Sequence, residues 1–156
     1  MSGPTRITVT AATFVRCPPE AVWDLTQDYA RRPSWDASVI EATVLRGEPL
    51  PRVRVRCTGG LRGVFRYVRF ERPSRTSLVL EEVRSLLVQG GSGAWSYEAE
   101  DGGTRWTQTN SVVLRAGWWP RMLVLPVRLS LGYATHRAMR KAKAMLEAAA
   151  ARAVYP

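Results

Sequence analysis

The sequence is poor in the residues that most often carry enzyme chemistry. It has one histidine, His136, and two cysteines, Cys17 and Cys57, in 156 residues. The cysteines lack metal-ligand spacing and are too few for a disulfide framework, so we expect free thiols, as in a cytoplasmic protein. No Ser/His/Asp arrangement, phosphate-binding loop, dinucleotide fingerprint or cluster with metal-ligand spacing is present. These absences argue against a metal- or nucleotide-dependent enzyme, and no cofactor is expected.

Long apolar runs are also missing. Residues 1–10 hold no apolar stretch that would suit a signal peptide. The segment nearest to a membrane span, residues 118–133, is interrupted by Arg121, Pro126 and Arg128. It is also shorter than the ~20 residues that a spanning helix needs. The sequence therefore predicts a cytoplasmic protein without a transmembrane helix.

Acidic residues are few relative to basic ones. Lys and Arg number 23 against 13 Asp and Glu, for a net charge of +10, and only Lys141 and Lys143 are lysines. Three interpretations compete: a solvated basic surface, attraction to an anionic ligand or membrane, and nucleic acid binding. No helix-turn-helix, zinc-finger or single-strand-binding signature accompanies the charge, so no nucleic acid partner is expected.

What the sequence does hold is enough apolar residues, 46%, to build one domain over residues 1–156. Alternating apolar and polar residues predict short strands, and Gly59-Gly60 and Asp101-Gly102-Gly103 are typical of hairpin turns. Another turn is expected at Gly47-Glu48-Pro49. The predicted strands cover residues 5–14, 38–46, 52–58, 63–71, 77–83, 94–100 and 104–114. Because the loops are short, the sheet should be antiparallel.

Helical segments complete the pattern. Two short helices follow the first strand, one of them over residues 21–28, and a long helix covers residues 119–151. The first half of the long helix is apolar nearly all round, and Pro126 is expected to kink it. This half could serve as a pocket lid, a dimer contact or a peripheral membrane contact. One face of this helix carries Val124, Val127, Leu131, Thr135, Ala138, Ala142, Met145 and Ala149 within about 40°. The fold class is therefore α+β, with a seven-stranded curved sheet covered by the long helix.

Several motifs carry a family resemblance. Cys17-Pro-Pro-Glu-Ala-Val-Trp-Asp-Leu-Thr-Gln-Asp28, Arg32-Pro-Ser-Trp35, Gly93-Ala-Trp-Ser-Tyr97 and Gly103-Thr-Arg-Trp-Thr-Gln108 stand in that order before the last helix. Together they resemble the START and birch-pollen-allergen superfamily, in the polyketide cyclase/dehydrase branch that includes aromatase/cyclases. The resemblance implies a helix-grip fold over an internal cavity, a polyketide- or lipid-like ligand, and a monomer or homodimer. Fold alone does not decide activity.

Strand alternation assigns candidate residues to the inner face of the sheet. The strand over residues 63–71 is ambiguous, and the resemblance favours Phe65, Tyr67 and Arg69 pointing inward. Glu82 is then the candidate partner of Arg69, if Leu78, Leu80 and Glu82 point inward. Gln108 and Asn110 are two amides on the inward face of the strand over residues 104–114. They indicate nearby water or ligand, since a buried amide without a hydrogen-bond partner costs about 1–3 kcal/mol. The predicted ligand-binding residues are Trp35, Phe65, Tyr67, Arg69, Leu80, Glu82, Trp95, Tyr97, Trp106, Gln108, Asn110, Val124, Val127, Leu131 and Thr135.

Three functional hypotheses follow. The first is a binding module for an apolar small molecule. The second, implied by the resemblance, is a cofactor-independent aromatase/cyclase in which Tyr67 and Arg69 are catalytic and polarise a ketone carbonyl. The third is a surface role, in which the outward residues Arg52, Arg54, Arg56 and Arg66 contact an acidic carrier protein or an anionic membrane.

Other reactive side chains are expected to be structural. The helical wheel places His136 at the surface, and free Cys57 should act as a small apolar residue. Asp24, Asp28 and Asp36 are typical of helix surfaces and caps.

Overall fold

One sheet of seven strands forms the body of the protein. The computed structural model describes residues 3–46 and 49–154, so the predicted turn at Gly47-Glu48-Pro49 lies partly outside the described residues. The strands are β1 (Thr5–Val15), β2 (Val39–Leu45), β3 (Arg52–Cys57), β4 (Arg62–Glu71), β5 (Arg75–Arg84), β6 (Val88–Glu100) and β7 (Gly103–Leu114). All neighbours pair antiparallel in the order β1-β7-β6-β5-β4-β3-β2. The predicted α+β class and strand number are confirmed.

Helices cover one side of this sheet, which we call its inner face. Helix α1 (Pro19–Thr26) and a short 3-10 helix (Arg32–Ser34) follow β1, and α2 (Trp118–Met122) and α3 (Val124–Val154) follow β7. Helix α3 lies mainly along β1, with smaller contacts to β7 and α1. Residues between α1 and β2 also pack on this face: the ring centroid of Tyr29 lies 6.3 Å from that of Tyr67 on β4.

The long helix differs from its prediction at one point. It breaks at Leu123 rather than at Pro126, which lies in the first turn of α3. Proline is tolerated there because the first amides of a helix have no intrahelical acceptor. The buried stripe of α3 is Thr135, Ala138, Met139, Ala142 and Leu146. Within the described residues, no helix is both long and apolar enough to span a membrane.

Strand β6 is longer than predicted because its glycines do not interrupt it. It runs through Gly90 and Gly91 and begins at Val88. A Cβ atom on Gly93 would lie 2.5 Å from the ring of Trp95. Glycine at this position thus lets the indole lie flat along its own strand.

Two irregularities between β4 and β5 change which residues face inward. At one irregularity the pairing passes from Tyr67–Leu78 to Arg69–Ser77, so Val68 has no partner on β5. At the other it passes from Val64–Glu82 to Phe65–Leu80, so Glu81 has no partner on β4. Such an extra residue shifts the alternation by one position. Phe70 rather than Arg69 therefore follows Tyr67 on the inner face, and Val83 rather than Glu82 follows Leu80.

Candidate functional site

Large aromatic rings fill one half of the inner face. Trp35 and Trp106, both predicted to line a pocket, pack edge to face with ring centroids 6.2 Å apart. Tyr97, also predicted there, packs in the same way against Trp23 at 5.3 Å. The buried rings are Trp23, Tyr29, Trp35, Tyr67, Trp95, Tyr97 and Trp106. Each ring buries a large apolar area and the edge contacts add to the packing. This half of the interior is core.

A buried ion pair lies at the centre of these rings. A guanidinium nitrogen of Arg32 is 3.0 Å from a carboxylate oxygen of Asp36, and both side chains are 7% exposed. The guanidinium carbon lies 4.7 Å from the ring centre of Trp35 and 5.4 Å from that of Trp95. The expectation of a surface role for Asp36 is therefore wrong. The signal available in the sequence was that Arg32 and Asp36 are opposite charges four residues apart.

The protein keeps this buried arginine charged. Burial disfavours the guanidinium charge, but the Asp36 carboxylate and the Tyr29 phenol outweigh it, so the pKa of Arg32 is raised. The guanidinium also lies over the rings of Tyr29, Trp35 and Trp95, whose negative faces attract the cation.

A chain of hydrogen bonds joins α1 to β4 and β6. The Tyr67 hydroxyl donates to Gln27 Oε1 at 3.0 Å, and Gln27 Nε2 donates to the Tyr97 hydroxyl at 2.7 Å. Thr26 donates to the Val22 carbonyl at 2.8 Å, which leaves its oxygen to accept from Tyr97 at 2.6 Å. Each hydroxyl proton in the chain thus has an acceptor.

These hydrogen bonds bear on the predicted catalytic role of Tyr67. Burial raises the pKa of Tyr67 and of Tyr97 far above the ordinary tyrosine value. Both phenols are therefore neutral at physiological pH. Because the proton of Tyr67 is already donated to Gln27, the arrangement does not favour Tyr67 as a proton-transfer group. Its hydrogen bond to Gln27 instead connects β4 to the C-terminal end of α1.

Several polar atoms in this interior have no partner within the part of the chain that the structure describes. They are Arg32 Nη1, Gln108 Oε1 and the indole nitrogens of Trp35, Trp95 and Trp106. A buried polar atom without a hydrogen bond costs about 1–3 kcal/mol. Native proteins usually satisfy such atoms with water or ligand. Four of the five are donors, so an oxygen acceptor would suit them.

The other half of the inner face is more open. Gln108 is buried, but Asn110, two residues along β7, is partly accessible and donates to Thr135 Oγ1 of α3 at 2.9 Å. Gln108 Nε2 contacts Asn110 Oδ1 at 3.4 Å. Further inward-facing residues of the sheet and of the inner side of α3 are partly accessible to water. We call the set Phe65, Leu80, Asn110, Val112, Val124, Val127 and Leu131 the inner cleft.

Two predicted site residues lie on the outer face instead. Arg69 is 52% exposed and pairs with Glu71 at 3.5 Å, in an outer depression of about 240 Å³. The predictions that it points inward and pairs with Glu82 are wrong, because the extra residue at Val68 reverses its direction. Glu82 is exposed as well, and it lines an outer depression of about 780 Å³ with Arg54, Arg62 and Arg84.

The remaining reactive groups lie apart from the interior chemistry. His136 is exposed, and Asp24 forms an exposed ion pair with Arg72 at 2.9 Å. Burial raises the pKa of the Cys57 thiol to about 11, which keeps it protonated and unreactive at neutral pH. The described residues contain no cluster of three His, Cys, Asp or Glu side chains that would hold a metal ion.

The fold and part of the sequence match known proteins. A family model described as polyketide cyclase / dehydrase and lipid transport matches residues 6–151. The ZhuI aromatase/cyclase of Streptomyces sp. R1128 superposes with a TM-score of 0.78 at 16% identity, covering 92% of this chain and 94% of that one. No curated protein sequence matches this chain.

Two further solved structures show the same fold. A Thermus thermophilus protein, TTHA0849, has a TM-score of 0.77 at 20% identity, covering 91% of this chain and 98% of that one. A START superfamily protein of Mycobacterium smegmatis has a TM-score of 0.72 at 12% identity, covering 90% and 97%. At these identities the likeness shows the helix-grip fold that the sequence predicted.

Proposed function

Because the chain belongs to the polyketide cyclase / dehydrase and lipid transport family, we propose that it binds a largely apolar small molecule in the inner cleft, between the sheet and the first half of α3. Membership supports ligand binding or polyketide cyclisation at the level of the family. The observation that carries the proposal is that inward-facing apolar side chains under α3 stay partly accessible to water.

Apolar contact would supply most of the affinity. Phe65, Leu80 and Val112 face the cleft from the sheet, and Val127 and Leu131 face it from α3. Removing apolar surface from water contributes about 25 cal/mol per Å². The expected ligand is therefore hydrophobic over most of its length, as a lipid or an aromatic polyketide is.

Polar atoms at the inner end of the cleft would orient the ligand. Gln108 Oε1 has no partner among the described residues, and Asn110 connects it to Thr135. An amide oxygen that lacks a partner gains most from a ligand hydroxyl. We therefore expect a ligand with an oxygen function at its buried end.

Cyclisation of a poly-ketone chain is the second candidate. It is favoured by the likeness to a structure described as an aromatase/cyclase. In that case Arg32, rather than the outward Arg69, would polarise the carbonyl with its unpaired nitrogen. The described inner residues include no free carboxylate or histidine to remove a proton from carbon, since Asp36 is paired with Arg32. The geometry thus supports binding better than acid–base catalysis.

Thermal shift tests the proposal. We expect a long-chain fatty acid or an aromatic polyketide, at about 100 times its dissociation constant, to stabilise the fold by about 2.7 kcal/mol. For a chain of this size that corresponds to a Tm increase of about 5–10 °C. A short, fully polar carboxylate such as citrate is the control and should not shift Tm. The proposal is wrong if no apolar compound shifts Tm more than citrate does.

Product analysis of the same mixtures separates the two candidates. An unchanged ligand recovered after binding supports a carrier or sensor. A ring-closed product from a poly-ketone substrate, formed faster than in buffer, would support the cyclase.

A further inference from the structure

Seven large apolar side chains are exposed together at the start of the long helix. Leu86 is 88% exposed, Trp118 is 75% exposed and Met122 is 71% exposed. We call the whole set the apolar patch: Leu86, Trp118, Trp119, Met122, Leu125, Leu129 and Tyr133. Single exposed apolar residues are ordinary, but seven large ones on and beside one helical segment indicate an interaction surface.

Two hydrogen bonds of Arg115 connect the loop of Leu86 to the start of the helical part of the patch. Arg115 Nε donates to the Ser85 carbonyl at 3.1 Å, and the Arg115 amide donates to the Leu87 carbonyl at 2.9 Å. The loop that carries Leu86 is therefore fixed beside the turn that leads into α2. On α3, Leu125, Leu129 and Tyr133 recur every four residues and so share one side of the helix.

The charge along the helical part of the patch has one sign. No Asp or Glu occurs between residues 102 and 146. Arg115, Arg121 and Arg128 are interleaved with the patch and are exposed. Two tryptophans, aliphatic side chains and interspersed arginines in one helical segment are typical of segments that lie in the interface of a negatively charged bilayer.

We propose that the apolar patch docks this protein on an anionic lipid bilayer, with Trp118, Met122, Leu125 and Leu129 inserted at the level of the headgroups. A second copy of the chain fits the patch less well, because a two-fold contact would place the same three arginines of each copy against each other. The docking does not depend on the proposed ligand.

Vesicle co-sedimentation tests this docking. The full chain should sediment with phosphatidylcholine vesicles that contain about 30 mol% phosphatidylglycerol and should stay in the supernatant with pure phosphatidylcholine at the same lipid concentration. The triple variant Trp118→Ser/Leu125→Ser/Leu129→Ser should lower the partition coefficient on anionic vesicles by about tenfold or more. Binding of the unmodified chain should weaken as salt is raised.

A matched variant controls for general loss of apolar surface. Ile40→Ser/Val68→Ser removes two exposed apolar side chains of the sheet, 48% and 45% exposed, and should bind as the unmodified chain does. Bromine-labelled lipid should quench the fluorescence of Trp118 and Trp119 but not that of the other four tryptophans, which are buried. The variant Trp118→Phe/Trp119→Phe should therefore show no quenching.

Three results would overturn the docking. One is that the unmodified chain stays in the supernatant with anionic vesicles. Another is that the sheet variant loses as much binding as the triple variant. The third is a concentration-dependent dimer, seen by sedimentation velocity and abolished by the triple variant, in a protein that ignores vesicles, which would assign the patch to a second copy.

Discussion

Replacing Asp36 with alanine is expected to lower the free energy of unfolding by about 3–5 kcal/mol. The change leaves the Arg32 guanidinium charged and buried among Tyr29, Trp35 and Trp95, with no anion beside it. Removing one partner of a buried pair costs far more than the pair contributes, because the remaining charge keeps its desolvation penalty. A domain stable by about 5–15 kcal/mol would lose a large part of its stability.

Urea unfolding followed by tryptophan fluorescence measures this loss. Asp24→Ala is the matched control, because Asp24 also pairs with an arginine but its pair with Arg72 is half exposed. Such an exposed pair is worth less than about 1 kcal/mol. The double variant Arg32→Met/Asp36→Leu should recover most of the stability, since it removes both charges. Equal losses for Asp36→Ala and Asp24→Ala would refute the buried pair.

Replacing Leu131 with tryptophan is expected to weaken binding of an apolar ligand by about 100-fold. Leu131 faces the inner cleft from α3 and is partly accessible, so the larger ring would enter the space proposed for the ligand. Since that space is open, stability should change little. In a filled core the same change would cost about 1–3 kcal/mol through overpacking.

The control for this prediction lies two residues away. Leu129→Trp makes the same chemical change on the exposed side of α3, where the residue is 64% exposed. It should leave ligand affinity within about twofold. Fluorescence titration with a naturally fluorescent fatty acid measures both variants. Equal weakening by the two variants, or a destabilised Leu131→Trp, would count against a binding site beneath α3.

Much of the fold follows from alternation in the sequence. The strands of residues 94–100 and 104–114 alternate without interruption, and the structure places Trp95, Tyr97, Trp106 and Gln108 on the inner face accordingly. Period two is a property of any regular strand. The strand predicted over residues 94–100 begins earlier, at Val88, and Gly93 in the added part leaves room for the Trp95 ring.

The candidate site was harder to predict, because it depends on a one-residue register shift and on tertiary packing around one arginine. One extra residue at Val68 turned Arg69 outward, and no feature of residues 63–71 distinguishes that register from a regular one. The pair of Arg32 and Asp36 was missed for another reason. Charged residues near short helices usually lie at the surface, and only the tertiary packing of three rings around Arg32 reverses this.

Intermolecular NOEs between an apolar ligand and labelled methyl groups test the proposed binding site most directly. We predict NOEs from the ligand chain to the methyl groups of Leu80, Val112, Val127 and Leu131, which surround the cleft from the sheet and from α3. NOEs confined to the exposed methyl groups of Leu125 and Leu129 would place the ligand outside the protein and contradict a site between the helix and the sheet.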